Sequence, residues 1–213
     1  PTHPPTTELY TVLTSSAASD VYKRQAVLMP YGRMPLQIFE QRYIDLVRDC
    51  MKSDSEFGVV WIRQGGEIAQ PSGLSPQLGD YGTCARIVDW DQLPNGLLGL
   101  TVQGGQRFDL ASTSVRPNGL VVGEVELRPV PDPAMMEPRW QTLLDILRSL
   151  ETHPHVQRMG LQIDYDNAWQ LAYTLIQLLP LEEQLKYELL GIDGIETLMS
   201  ELDVILNEIS GED

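Results

Sequence analysis

The period of the hydrophobic pattern changes once along this chain, and that change limits the fold more than any other feature. Up to Val130 the apolar residues form short β-branched and aromatic runs, such as Phe57-Gly-Val-Val-Trp-Ile62, or alternate with small residues, as Leu98, Leu100 and Val102 do with Gly99 and Thr101. Those are strand patterns. From Trp140 onward they recur every three or four residues, in Trp140, Leu143/Leu144, Leu147 and Leu150 and again in Trp169, Ala172, Leu175/Ile176 and Leu179. That is the stripe of amphipathic helices. Pro129, Pro131 and Pro133 stand at the change, each fixing φ and removing a backbone donor. The pattern predicts an α+β chain with a β-rich subdomain over 26–131 and a helical subdomain over 132–213. At 213 residues such a chain can build its core without disulfide or metal staples.

Within the first part, Ala26-Val-Leu-Met-Pro30 reads as a strand and Pro35–Phe39 as extended. A helix over 40–52 follows, with Phe39, Tyr43, Leu46/Val47 and Cys50 on one face. Residues 67–80 carry Pro71, Gly73, Pro76 and Gly79 and read as a loop. Thr83–Trp90 and Leu97–Val102 make a hairpin, in which Asn95-Gly96 supplies the positive φ angles of a tight primed turn. Gly104-Gly105 permits a bulge or sharp bend, and a further pair, 108–115 and 120–130, flanks Pro117-Asn118-Gly119. The expected result is a small curved β pseudo-barrel closed against one helix. In the second part Pro180 ends a helix, Gly191 ends a short one over 182–190, and Asp193 with Glu196 forms a capping pair for the last.

The order and spacing of Met34-Pro-Leu-Gln-Ile-Phe-Glu-Gln-Arg-Tyr43, Gly82-Thr-Cys-Ala-Arg-Ile-Val-Asp-Trp90, Leu93-Pro-Asn-Gly96 and Gly105-Gln-Arg-Phe108 resemble the N-terminal substrate-binding domain of the Lon proteases. Leu179-Pro-Leu-Glu-Glu-Gln and Ile195-Glu-Thr-Leu extend the resemblance to the helical end. It implies a PUA-like β half followed by a helical bundle, and a cytoplasmic bacterial module of protein quality control. Pro1–Gln25 stands outside it. Asp20-Val-Tyr-Lys-Arg-Gln25 is what GAT GTG TAT AAG AGA CAG encodes, which is similar to a transposase mosaic-end adaptor, so 1–25 is expected to be a foreign or disordered segment.

Chemistry is sparse. No Gly-Lys-Ser or Gly-Lys-Thr forms a phosphate loop. A Lon-type Ser–Lys dyad needs a buried lysine, and Lys52 and Lys186, the lysines outside the first 25 residues, read as exposed helix positions. His153-Pro-His155 lacks the further ligands of a zinc site and reads as an exposed interhelical loop. Cys50 and Cys84 sit in apolar patterns and read as two buried thiols in a reducing cytosol. No catalytic residue, metal or cofactor is expected. Net charge is −15, and residues 182–213 hold Lys186 against ten acidic side chains, which disfavours nucleic acid and anionic membrane as partners.

The resemblance therefore implies a non-catalytic module that binds unfolded or partner polypeptides. For that contact the apolar residues stranded in turns and loops are the candidates: Trp90, Leu93, Leu97, Leu74 and Leu78. Glu40, Arg42, Tyr43, Arg107 and Phe108 match the family's pattern best and are expected to be structural, with Glu40 paired to an arginine and the aromatic rings in the core. Two rival readings are an RNA-binding PUA-like module and a small-molecule binder or enzyme using the interdomain cleft.

Overall fold

The structure, a computed structural model, describes residues 7–10, 27–64 and 77–211. The chain divides into two compact units, Pro1–Val130 and Pro131–Asp213.

The first unit is an antiparallel sheet of β1 (Thr7–Tyr10), β2 (Arg33–Ile38), β3 (Phe57–Gln64), β4 (Gln77–Gln92), β5 (Leu98–Val115) and β6 (Val121–Leu127), with α1 (Gln41–Ser53) between β2 and β3. Strand order is β1-β6-β5-β4-β3, with β2 added on β5. β5 organises the unit. Its first half lies between β2 and β4, and its second half pairs with β6 from Phe108 to Val115, sharing Phe108 and Asp109 with β4. Between Ala85↔Gly104 and Thr83↔Arg107 it carries one residue more than β4, the bulge that Gly104-Gly105 predicts. Gly104 must be glycine for a second reason. A Cβ there would lie 2.1 Å from the carbonyl oxygen of Met29.

That approach explains one departure from expectation. Val27, Leu28 and Met29 are buried, but they form no strand. The chain turns at Pro30-Tyr31, where Tyr31 takes φ 64°, Gly32 N donates to Met29 O and Tyr31 N donates to Gly104 O. These residues reach the core by packing on the bulge instead of by a ladder. A second departure lies in the segment expected to be foreign or disordered. Thr7–Tyr10 pairs antiparallel with Val122–Val125 of β6, so four of its residues are a strand; the rest of 1–25 lies outside the described residues. Strands this short depend on a partner's edge, and no local pattern announces them.

The turns also differ from expectation. Only Gly96 has positive φ, at 80°, whereas the type I′ turn of an Asn-Gly pair needs two such residues. Leu93 N donates to Leu97 O, so three residues close the hairpin, and Asn95 Oδ1 accepts from Leu97 N. The β5–β6 connection repeats the device: Arg116 N donates to Leu120 O, Asn118 Oδ1 accepts from Leu120 N, and Gly119 has φ 82°. Each is a three-residue loop whose glycine occupies the left-handed position.

α1 lays Tyr43, Leu46, Val47 and Cys50 on a core with Leu36, Phe57, Leu100 and Val102. β2 pairs only with β5 among the described residues, and Pro35 sits in it at a position an edge strand tolerates.

In the second unit a 3-10 turn (Pro138–Trp140) precedes α2 (Gln141–Glu151), α3 (Pro154–Arg158), α4 (Ala168–Leu178), α5 (Glu183–Leu190) and α6 (Ile195–Ser210). α4 is buried from Ala168 to Gln177 and packs with α2, α5 and α6. The proline-rich segment is docked here from its middle on. Trp169 Nε1 donates to Asp132 O, Ala168 N donates to Ala134 O, and Met135 bridges to Asn167. Two helix starts correct the sequence reading. The expected His153–His155 loop is the start of α3, where His153 Nδ1 accepts from His155 N. α6 is capped by Gly194 and not by Asp193, so the Asp-Gly-Ile-Glu run fails as a capping pair by one residue.

Candidate functional site

The β2–β5–β4 end of the sheet carries an open groove of about 330 Å³. Strand register builds it. Pro35, Thr101 and Asp89 lie in one row across the three strands, and Gln37, Gly99 and Asp91 in the next. The absent side chain at Gly99 leaves room that the Leu93 side chain fills, coming within 3.0 Å of where a Cβ would stand. Leu36, Trp90 and Leu100 border the groove as the row between these two rows, and their side chains alternate to the opposite face, where Leu36 and Leu100 are core. β4 gains a residue at Val88, between Ile87↔Val102 and Asp89↔Thr101, which re-aims the strand before Trp90. Trp90 is 59% exposed, a large ring left in water beside an apolar concavity.

Of the five contact candidates, the structure brings Trp90 and Leu93 together here. Leu97 is half-buried in the hairpin loop next to the groove and does not line it. Leu78 lies towards the other end of β4, against a small core of Val60, Cys84, Phe108 and Val125. Leu74 lies outside the described residues. Pro35, Gln37, Gly99 and Thr101 were not singled out as contact residues in the sequence. The one usable signal was Gly99 inside an alternating strand, where glycine marks a close approach.

The five motif residues sit in three places. Glu40 Oε2 lies 2.8 Å from Arg42 Nη2, Arg42 Nη1 donates to Gly119 O at 2.7 Å, and the guanidinium lies over the Tyr43 ring at 4.7 Å. Arg42 thus ties the start of α1 to the β5–β6 loop. Tyr43 is in the α1 core, Phe108 is in the smaller core, and Arg107 is buried on β5 opposite Thr83. Arg42→Ala is expected to cost about 2 kcal/mol in urea unfolding, through a lost charge-assisted hydrogen bond and lost packing. Arg42→Lys should recover less than half, since an ammonium cannot make the forked contact. Full recovery by lysine would mean that only the charge matters.

Both cysteines and Lys186 are committed to structure. Cys50 and Cys84 are free and buried. Burial pushes both thiols up, Cys84 to about 12 with the Glu56 carboxylate assisting, so neither is an activated nucleophile. Lys186 reverses its expectation as an exposed position. It is 2% exposed, its ammonium donates to Gln177 O at 3.1 Å, and burial pulls its pKa down to about 8 against a small opposing pull from Glu183. It caps the last turn of α4. Among the described residues no group of three or more His, Cys, Asp or Glu could hold a metal ion, and no helix is long and apolar enough to cross a membrane.

Comparison with known proteins follows the same outline. A family model of the ATP-dependent protease La (LON) substrate-binding domain matches residues 21–208, beginning inside the adaptor-like segment. A Lon N-terminal domain protein from Xanthomonas campestris is similar in structure with TM-score 0.69 at 32% identity, over 93% of this chain and 98% of that one. The N-terminal domain of Mycobacterium avium complex Lon protease aligns at TM-score 0.55 and 14% identity over 97% and 99%, a likeness of fold alone. Lon protease 2 of Myxococcus xanthus is 35% identical over 85 residues, which are 40% of this chain and 10% of that protein. The chain thus matches about a tenth of that relative's length.

Proposed function

Because the chain belongs to the Lon substrate-binding domain family, we propose that it is a non-catalytic module that recognises unfolded or partner polypeptides through the groove between β2, β5 and β4. One observation carries this reading: an open groove at the hairpin end of the sheet has an exposed tryptophan, Trp90, at its side and the Leu93 side chain packed over Gly99. Extended chains are bound in such grooves, where an aromatic anchor supplies much of the energy. The family match favours polypeptide over the RNA and small-molecule readings. The finer fold reading belongs to the same proposal. β1 lies beside β3 as well as pairing with β6, which supports a PUA-like pseudo-barrel, and α4 buried on every side supports a helical bundle.

The test is capture of a permanently unfolded client, such as reduced and carboxymethylated lactalbumin, against its native form. Trp90→Ala with Gly99→Val should weaken capture at least tenfold, since truncating an anchor costs about 2 kcal/mol. Trp90→Ala alone should hardly move the melting temperature, because Trp90 is exposed, whereas Gly99→Val must displace the Leu93 side chain that lies 3.0 Å from the new Cβ. Capture unaffected by the double variant, or no preference for the unfolded client, would overturn the proposal.

A further inference from the structure

We infer that the groove selects extended segments in which an apolar side chain is flanked by lysine or arginine. This rests on the polypeptide-recognition reading above and names the class of segment that the groove takes.

The observation is a difference among strand aspartates. Asp80 is paired with Arg63 at 2.5 Å and Asp109 with Arg128 at 2.7 Å. Asp89 and Asp91, on the groove, form no ion pair among the described residues. Each accepts only from the backbone of the next residue, Trp90 N to Asp89 Oδ1 at 2.9 Å and Gln92 N to Asp91 Oδ1 at 2.7 Å. Those bonds orient the carboxylates and occupy one oxygen of each, leaving both negative charges uncompensated. Being two residues apart on one strand, they lie on the same face, roughly 7 Å apart. An extended ligand repeats its own side chains at that interval. None of the residues lining the groove is basic, and the whole chain carries −15. Pro35 and Leu93 therefore offer an apolar contact to an uncharged side chain, while the β4 side attracts cations at neighbouring positions and repels acidic segments.

The experiment uses the full chain and three synthetic peptides sharing one Phe-Leu core, with flanks of lysine, serine or glutamate. Affinities are read by calorimetry at low and high salt. The lysine peptide should bind about fivefold tighter than the serine peptide at low salt, with the glutamate peptide weakest, since exposed ion pairs are each worth up to about 1 kcal/mol. The advantage should shrink severalfold near 0.5 M salt as screening shortens. Asp89→Asn with Asp91→Asn keeps both backbone acceptors and should abolish the ranking, bringing the three affinities together. Asp54→Asn, which breaks the distant pair with Arg86, should leave the ranking intact. Equal affinity for the three peptides, or a ranking that survives the double variant, overturns this inference and leaves polypeptide recognition standing. Binding of the unfolded client but of none of the peptides also overturns it. Binding of neither client nor peptide overturns both.

Discussion

Lys186→Met is expected to stabilise the protein by roughly 2 kcal/mol at pH 7, raising the melting temperature of the helical unit by several degrees. Burial lowers the Lys186 pKa from 10.5 to about 8, so at neutral pH holding the charged form inside costs up to about 3 kcal/mol. Methionine removes that cost and the hydrogen bond to Gln177 O, a loss of about 1 kcal/mol. The pH dependence has a definite sign. Below pH 8 the amine is protonated folded and unfolded, and the full cost is present. Between about 8 and 10.5 the unfolded chain holds more protons, so this group makes stability rise with pH. Cys84 acts oppositely. Its folded pKa is raised from 9.0 to about 12, so stability falls as pH rises through that interval. The difference between wild type and Lys186→Met cancels the thiol. Urea unfolding should show a gap near 2 kcal/mol at pH 7 that closes by pH 10; a gap independent of pH would acquit the ammonium.

Gly104→Ala should lose at least about 3 kcal/mol or fail to fold, whereas Gly105→Ala should stay within about 1 kcal/mol of wild type. The two glycines are adjacent in the same bulge, and composition cannot tell them apart. A Cβ at Gly104 meets the backbone of Met29 at 2.1 Å, which no rotamer change relieves, and at Gly105 the nearest atom is 3.6 Å away. Overpacking against backbone must move the Val27–Met29 segment, whose side chains are fully buried. Equal losses at the two sites in chemical denaturation would show that the bulge itself, and not the approach of Met29, sets the requirement.

What could be read in advance was whatever local chemistry decides. The change of period at the prolines, the buried face of α1 and the Pro-Asn-Gly loops are of that kind. Lys186 was legible too, because it precedes the buried pair Leu189 and Leu190 by three and four residues and so shares their stripe on α5. Reading its charge as exposure hid that. The groove was not legible in the same sense. Trp90 and Leu93 stood out as apolar residues near a turn, but Pro35, Thr101 and Asp89 become neighbours only through the pairing of three strands, and pairing register is a property of the sheet. Thr7–Tyr10 and Val27–Met29 failed for a related reason: each is placed by an edge or a bulge supplied from far along the chain.

Pro35 has a consequence for how such a module lets go. A protein that holds unfolded chains beside an open sheet edge risks seeding the very assembly it should prevent, because an uninterrupted edge templates further strands. β2 flanks the groove, and the proline within it denies an incoming chain a continuous ladder of donors. If the groove takes polypeptide as proposed, contact there is confined to side chains and to short stretches of backbone, a hold that is shallow and readily reversed.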